Sequence, residues 1–132
     1  MAMIMIQFKY LLVMGVFIPS LLSGQTTEST AISNAIKSGN ATELATYLSS
    51  SVDLTLLSVE DVYSKEQAEV ILTRFFSENS PASFAIKHEG KSKMDDHFYI
   101  GDLITSNGTY RLTFFLKNES SKYRIRQLRV EN

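Results

Sequence analysis

The chain has 132 residues, with 13 Lys and Arg against 14 Asp and Glu, two His and no Cys. This near-neutral balance offers nothing electrostatic to recruit nucleic acid or an anionic membrane surface, and the lack of cysteine excludes a disulfide framework, a thiolate metal site and a thiol nucleophile. A hydrophobic content of 44% at this length fits one domain held by its core alone.

The first segment reads as an address. Lys9 precedes an apolar run from Tyr10 to Ile18, and Pro19-Ser20-Leu21-Leu22-Ser23-Gly24 leads into the polar Gln25-Thr26-Thr27. A cationic start, an apolar stretch of about 7–15 residues and small residues before a polar switch are the parts of a secretory signal peptide. Cleavage after Gly24 is expected, giving an exported product, periplasmic or secreted, with a single domain over residues 25–132 that carries 12 basic and 14 acidic side chains. The competing reading is a retained anchor, because Met1 to Leu22 is apolar almost throughout and a span needs about 20 such residues. Pro19 and the small residues after it favour cleavage. No cysteine follows the apolar run to carry a lipid, so no membrane attachment is expected afterwards.

Ile32, Ala35 and Ile36 recur at helical spacing, which predicts a short helix over Glu28 to Ser38 with Gly39 as its left-handed stop. Asn40 with Glu43 three residues on resembles a capping box, and Ala41, Leu44, Ala45 and Leu48 form the stripe of a second short helix. Ser49-Ser50-Ser51 is expected to break it before Val52 to Leu57, where period-two alternation predicts a strand with Val52, Leu54 and Leu56 on one face. Ser64 and Gln67 then make a capping box ahead of Ala68, Ile71, Leu72, Phe75 and Phe76, a long amphipathic helix that ends before Pro81.

Four strands follow: Ser83 to Glu89, His97 to Thr105, Thr109 to Lys117 and Lys122 to Glu131. The fold class is therefore α+β, with helices first and an antiparallel meander last. Asn107-Gly108 predicts a type I′ hairpin that sets Thr105 opposite Tyr110, Leu103 opposite Leu112, Gly101 opposite Phe114 and Tyr99 opposite Leu116, all on the core face. A four-residue turn over Asn118 to Ser121 would put Tyr123, Ile125, Gln127 and Arg129 inward and Arg124, Arg126, Leu128 and Val130 outward. A bulge would exchange the later residues, leaving Leu128 and Val130 in the core.

This order of elements resembles the nuclear-transport-factor-2-like, cystatin-like α+β cone, in which short helices and one long helix pack on a curved antiparallel sheet. More narrowly, Ala35-Ile36-Lys37-Ser38-Gly39-Asn40, Val52-Asp53-Leu54, Tyr63-Ser64-Lys65-Glu66-Gln67-Ala68-Glu69, Phe75-Phe76, His88-Glu89-Gly90 and Asn107-Gly108-Thr109-Tyr110-Arg111 are similar to a family of small exported Bacteroidetes proteins of unknown function. That resemblance implies a fold and a lineage, with no activity and no catalytic residues to carry over.

Enzymes of the wider fold use an acid-base group inside the cone, supported by a tyrosine or carboxylate. The candidates here are His88, which shares alternation with Phe84 and Ile86, together with Tyr63 and Asp53. The plainer reading makes His88 a strand-end residue before the turn at Gly90, and Asp53 a solvated carboxylate opposite the apolar face. A pocket for a small apolar ligand would be lined by Phe75, Phe84, His88, Tyr99, Tyr110 and Phe114. The opposite sheet face, with Ile100, Ile104, Arg111, Phe115, Arg126 and Leu128, is too apolar for a plain solvated surface and is the candidate homodimer interface. Its basic and aromatic residues superficially suggest single-stranded nucleic acid, which export and net acidity oppose.

Lys93, Asp95, Asp96 and His97 cluster between strands without a recognisable metal-ligand spacing, so neither a metal nor another cofactor is expected. Asn40-Ala41-Thr42, Asn107-Gly108-Thr109 and Asn118-Glu119-Ser120 match the N-glycosylation acceptor pattern but read equally as turn and cap residues. The sequence points first to a non-enzymatic exported domain that binds a small apolar ligand or a partner, including itself. The alternative is a small isomerase-, dehydratase- or hydrolase-like enzyme with a pocket histidine as base.

Overall fold

Side-chain caps set the helix boundaries. In the computed structural model, which describes residues 26–132, the backbone N–H groups of Thr26 and Ser29 each donate to the other's hydroxyl at 2.9 Å and open α1 (Thr27–Ser38). Gly39 closes it with φ 67°, and the Asn40 N–H then reaches back to the Ala35 carbonyl. Asn40 Oδ1 accepts from the Glu43 N–H at 3.0 Å to start α2 (Ala41–Ala45), and the Ser64–Gln67 capping box starts α3 (Lys65–Glu78). Ala68, Leu72, Phe75 and Phe76 form the buried face of α3. The export segment expected over residues 1–24 lies outside the described residues, among which no helix is long and apolar enough to cross a membrane.

The strands are β1 (Leu48–Leu56), β2 (Val59–Ser64), β3 (Pro81–Lys91), β4 (His97–Thr105), β5 (Gly108–Glu119) and β6 (Lys122–Glu131). They form one curved sheet in the order β2-β1-β6-β5-β4-β3, antiparallel throughout except where β1 runs parallel to β6. α1 lies against β3, and α2 against α3. The inner face, with Leu54, Tyr99, Leu103, Leu112, Phe114, Leu116, Ile125 and Leu128 all at 1% exposure or less, meets the helices and makes the core.

Two local expectations change. The serines 49–51 do not end a helix ahead of a strand: they lie inside β1, where Ser49 is buried and donates its hydroxyl to Glu119 Oε2 at 2.8 Å. β2 is an added strand whose exposed Val59-Glu60-Asp61-Val62 lacks the alternation that would announce it.

Register differs in three places, each with a physical cause. The β4–β5 loop is Ser106-Asn107, so Thr105 faces Gly108, Leu103 faces Tyr110, Gly101 faces Leu112 and Tyr99 faces Phe114. Thr105 Oγ1 shapes this turn, accepting from the Asn107 N–H at 3.1 Å and donating to the Gly108 carbonyl at 2.9 Å. The slip is two residues, so every side chain keeps its expected face. Positive φ at both turn residues, the mark of a type I′ hairpin, occurs instead at Ser120 (55°) and Ser121 (73°) between β5 and β6.

In β6, Leu116 pairs with Ile125 but Phe115 pairs with Gln127, leaving Arg126 as a bulge. Gln127 and Arg129 therefore point outward, and Leu128 and Val130 enter the core at 0% and 1% exposure. β3 has the same irregularity: Ile86 pairs with Gly101 and His88 with Ile100, with Lys87 the extra residue.

Candidate functional site

The expected pocket residues divide. Phe75, Phe84, Tyr99, Tyr110 and Phe114 do gather on the inner face beneath α3. Tyr99 and Phe114 stack with ring centroids 5.0 Å apart, Phe75 meets Phe76 edge-on at 5.8 Å, and Tyr110 lies 6.1 Å from Phe75. Phe84 and Phe75 are 5% and 6% exposed and Tyr99 and Phe114 fully buried, so these rings pack as core. Tyr110 donates its hydroxyl to Asn79 Oδ1 at 3.3 Å, and Asn79 in turn donates to the Phe75 carbonyl at 3.0 Å, which fixes the end of α3 to β5.

His88 is not among them. The Lys87 bulge inverts the alternation after Ile86 and places His88 exposed on the outer face, against the expectation that it enters the cone. Nor do the three acid-base candidates converge. Tyr63 pairs with Val52 and packs against the core, whereas Asp53 is on the opposite face beside Val62 and Gln127. Three strands separate β1 from β3, a distance of about 19 Å at the usual strand spacing of roughly 4.8 Å.

The outer face collects Phe98, Ile100, Asp102 and Ile104 of β4 opposite Phe115, Thr113, Arg111 and Thr109 of β5, with Gln127, Arg129 and Glu131 of β6 alongside. Phe98 and Ile104 are 38% and 45% exposed. Arg111 stands between Asp102 and Glu131, an alternating row across three strands. Arg129 donates to Glu131 at 2.9 Å and holds its carboxyl below the usual range. Of the expected interface residues, Ile100, Ile104, Arg111 and Phe115 share this face. Leu128 does not, because the bulge turns it inward, and Arg126 is the bulged residue itself, exposed and 3.7 Å from Glu119.

A family model for DUF4783, a domain of unknown function, matches residues 29–131. The chain belongs to the DUF4783 family. It is similar to the crystal structure of a DUF4783 protein from Bacteroides fragilis, at 36% identity over 77% of this chain and 95% of that one, with a TM-score of 0.73. A DUF4783 protein from Bacteroides uniformis is 35% identical over 78% and 94%, with a TM-score of 0.74. A cystatin-fold protein from Novosphingobium aromaticivorans, at 13% identity over 77% and 92% with a TM-score of 0.55, shares the fold alone. No curated protein matches the chain.

At one end of the DUF4783 sheet, Asp95 gathers four side chains. Tyr123 donates its hydroxyl to Asp95 Oδ2 at 2.7 Å, Asn118 Nδ2 donates to the same oxygen at 3.3 Å, His97 Nε2 is 3.3 Å from Oδ1 and Lys91 Nζ is 3.6 Å from it. The hydrogen bonds from Tyr123 and Asn118 lower the Asp95 carboxyl to about 2, and the same carboxylate pushes the Tyr123 phenol up to about 12. His97 is 7% exposed, its ring edge-on to Tyr123 at 4.9 Å. Asp96 turns to Lys117 at 3.8 Å. Among the described residues no group of three or more His, Cys, Asp or Glu is placed to hold a metal ion. Asn118 and Tyr123 join this cluster because the β5–β6 turn is the two residues Ser120-Ser121 rather than the four expected over Asn118 to Ser121, which pairs Asn118 with Tyr123.

The DUF4783 domain also has a groove of about 340 Å³ between α3 and the β1–β2 hairpin, with Leu54, Leu56, Val59, Tyr63, Ile71 and Phe75 as its apolar wall and Arg74 and Glu78 beside them. Tyr63 and Phe75 were separate sequence candidates, one for catalysis and one for a pocket; β2 brings them together.

Proposed function

We propose that this DUF4783 domain is an exported, non-enzymatic interaction module that pairs with a second copy of itself through the outer face of its sheet. The observation carrying this reading is the exposure of Phe98 and Ile104 on a face that also holds Ile100 and Phe115. Phe98, Ile100 and Phe115 form one apolar patch, and the charged row through Asp102 and Arg111 separates it from Ile104, so the face mixes apolar and polar contacts as protein interfaces do. The Glu131–Arg111–Asp102 row alternates in sign, so the face has no one-sign field to select an oppositely charged partner. A like surface suits it. The three strands β4, β5 and β6, about 30 Å long at 4.8 Å spacing, offer roughly 430 Å², so the flanking strands must contribute to reach the approximately 800 Å² per partner of an ordinary specific interface.

Native mass spectrometry of the protein purified from its producing cell tests this reading. A dimer is expected, with Phe115→Glu giving a folded monomer. A variant that stays dimeric would place the interface elsewhere, and a monomeric wild type would end the self-association reading. The same spectra test export: the mass should correspond to a chain starting at or near Gln25, whereas retention of residues 1–24 would sink it.

A further inference from the structure

We propose that the groove between α3 and the β1–β2 hairpin binds a small zwitterion with an apolar tail, of the hydrophobic α-amino-acid class, its carboxylate on Arg74 and its ammonium beside Glu78. The volume of about 340 Å³ falls at the lower end of the roughly 300–1,000 Å³ range of small-ligand pockets. The wall is aliphatic and aromatic, and Val59 on it is 62% exposed, an apolar surface left to water.

The charges select the ligand. Arg74 and Glu78 are one turn apart on α3, close enough to bridge, yet they form no ion pair with each other or with any other described residue. Their order, cation before anion along the helix, is the weaker one for an i,i+4 pair. Side chains at this spacing are neighbours on one helix face, so a single ligand that carries both charges can reach both of them. A simple apolar anion would satisfy Arg74 but lie beside the Glu78 carboxylate, and a simple apolar cation would meet the reverse conflict.

The rim is also held in place. Asn107 Nδ2 donates to the Glu78 backbone carbonyl at 2.7 Å and to Asn79 Oδ1 at 3.0 Å, which pins the end of α3 to the β4–β5 turn. The Tyr63 hydroxyl, which has no hydrogen-bond partner among the described residues, supplies a further donor for the ligand carboxylate.

The test is an NMR titration of the intact protein, as purified from its producing cell, with L-phenylalanine, 3-phenylpropionate and phenethylamine. Phenylalanine should shift the amides of Tyr63, Ile71 and Arg74, with both single-charge analogues at least tenfold weaker. Arg74→Gln and Glu78→Gln should each weaken phenylalanine binding tenfold or more without moving the melting temperature, since both side chains are exposed. The proposal is overturned if phenylalanine leaves the groove amides unmoved at millimolar concentration. It is equally overturned if 3-phenylpropionate binds as well and Glu78→Gln changes neither affinity, which would make the groove a site for a simple anion.

Discussion

Tyr123 donates its hydroxyl to Asp95 Oδ2 at 2.7 Å, tying the start of β6 to the β3–β4 loop at a residue with left-handed backbone, φ 66°. The pair makes stability depend on pH at both extremes. Asp95 has its carboxyl lowered from 3.8 to about 2, so its contribution is present above pH 4 and lost as the pH falls towards 2. Tyr123 has its phenol raised from 10.0 to about 12, so its contribution is present below pH 10 and lost as the pH climbs to 12. Tyr123→Phe should lower the urea midpoint at neutral pH, with the gap to wild type narrowing between pH 4 and pH 2. Parallel curves over that range would show that the bond does not couple to stability.

The β6 bulge predicts opposite outcomes for adjacent residues. Leu128 is fully buried, and truncation to Ala should cost about 2–4 kcal/mol through lost contacts and a cavity. Gln127 faces outward, and Gln127→Ala should stay within about 0.5 kcal/mol of wild type. Denaturant unfolding of the two variants reports the register directly. Equal losses would mean that Arg126 is not the extra residue.

That bulge also marks the limit of what the sequence makes legible. The starts of α2 and α3 and the end of α1 are readable because their causes are local: Ser64 with Gln67, Asn40 with Glu43 and the left-handed Gly39 each act within four residues, whereas α2 stops at Ala45, short of the expected Leu48, which begins β1 instead. The faces of β4 and β5 were readable because alternation survives a two-residue slip. Bulges at Lys87 and Arg126 insert one residue each and invert the alternation beyond it, and which side wins is decided by packing against distant strands and α3. For that reason His88 falls outside the cone, and of the two registers the sequence leaves open for β6 the bulged one holds, which removes Leu128 from the outer face. The groove was hidden because β2 has no periodicity of its own and is held by pairing with β1. The Asp95 cluster joins residues 28 apart in the chain, beyond any local signal.

Gly101 is a packing requirement. A Cβ there would stand 2.4 Å from the Ala85 carbonyl oxygen and 2.7 Å from the Phe84 ring. The ring can rotate away, but the carbonyl belongs to the β3–β4 ladder and cannot move without breaking it. Gly101→Ala should therefore destabilise by about 1–3 kcal/mol, as overpacked cores do. Adding Phe84→Leu should recover only part of the loss, because the backbone clash remains. Full recovery would assign the constraint to the ring alone.

Leu57 sits in the tight β1–β2 turn with φ 60° and 41% of its surface exposed, and its N–H donates to the Val130 carbonyl at 2.7 Å. A left-handed backbone costs a residue with a side chain roughly 1–2 kcal/mol, and glycine would avoid that strain while adding freedom to the unfolded chain. The balance favours relief: Leu57→Gly should raise stability by up to about 1 kcal/mol, since little burial is lost at so exposed a site. Leu57→Pro should do the opposite, by about 3 kcal/mol or more, because proline fixes φ near −65° and removes the N–H that holds the turn to β6. Urea unfolding of the two variants separates the causes. A loss of stability in Leu57→Gly would mean that the leucine side chain, despite its exposure, contributes contacts worth more than the strain it imposes.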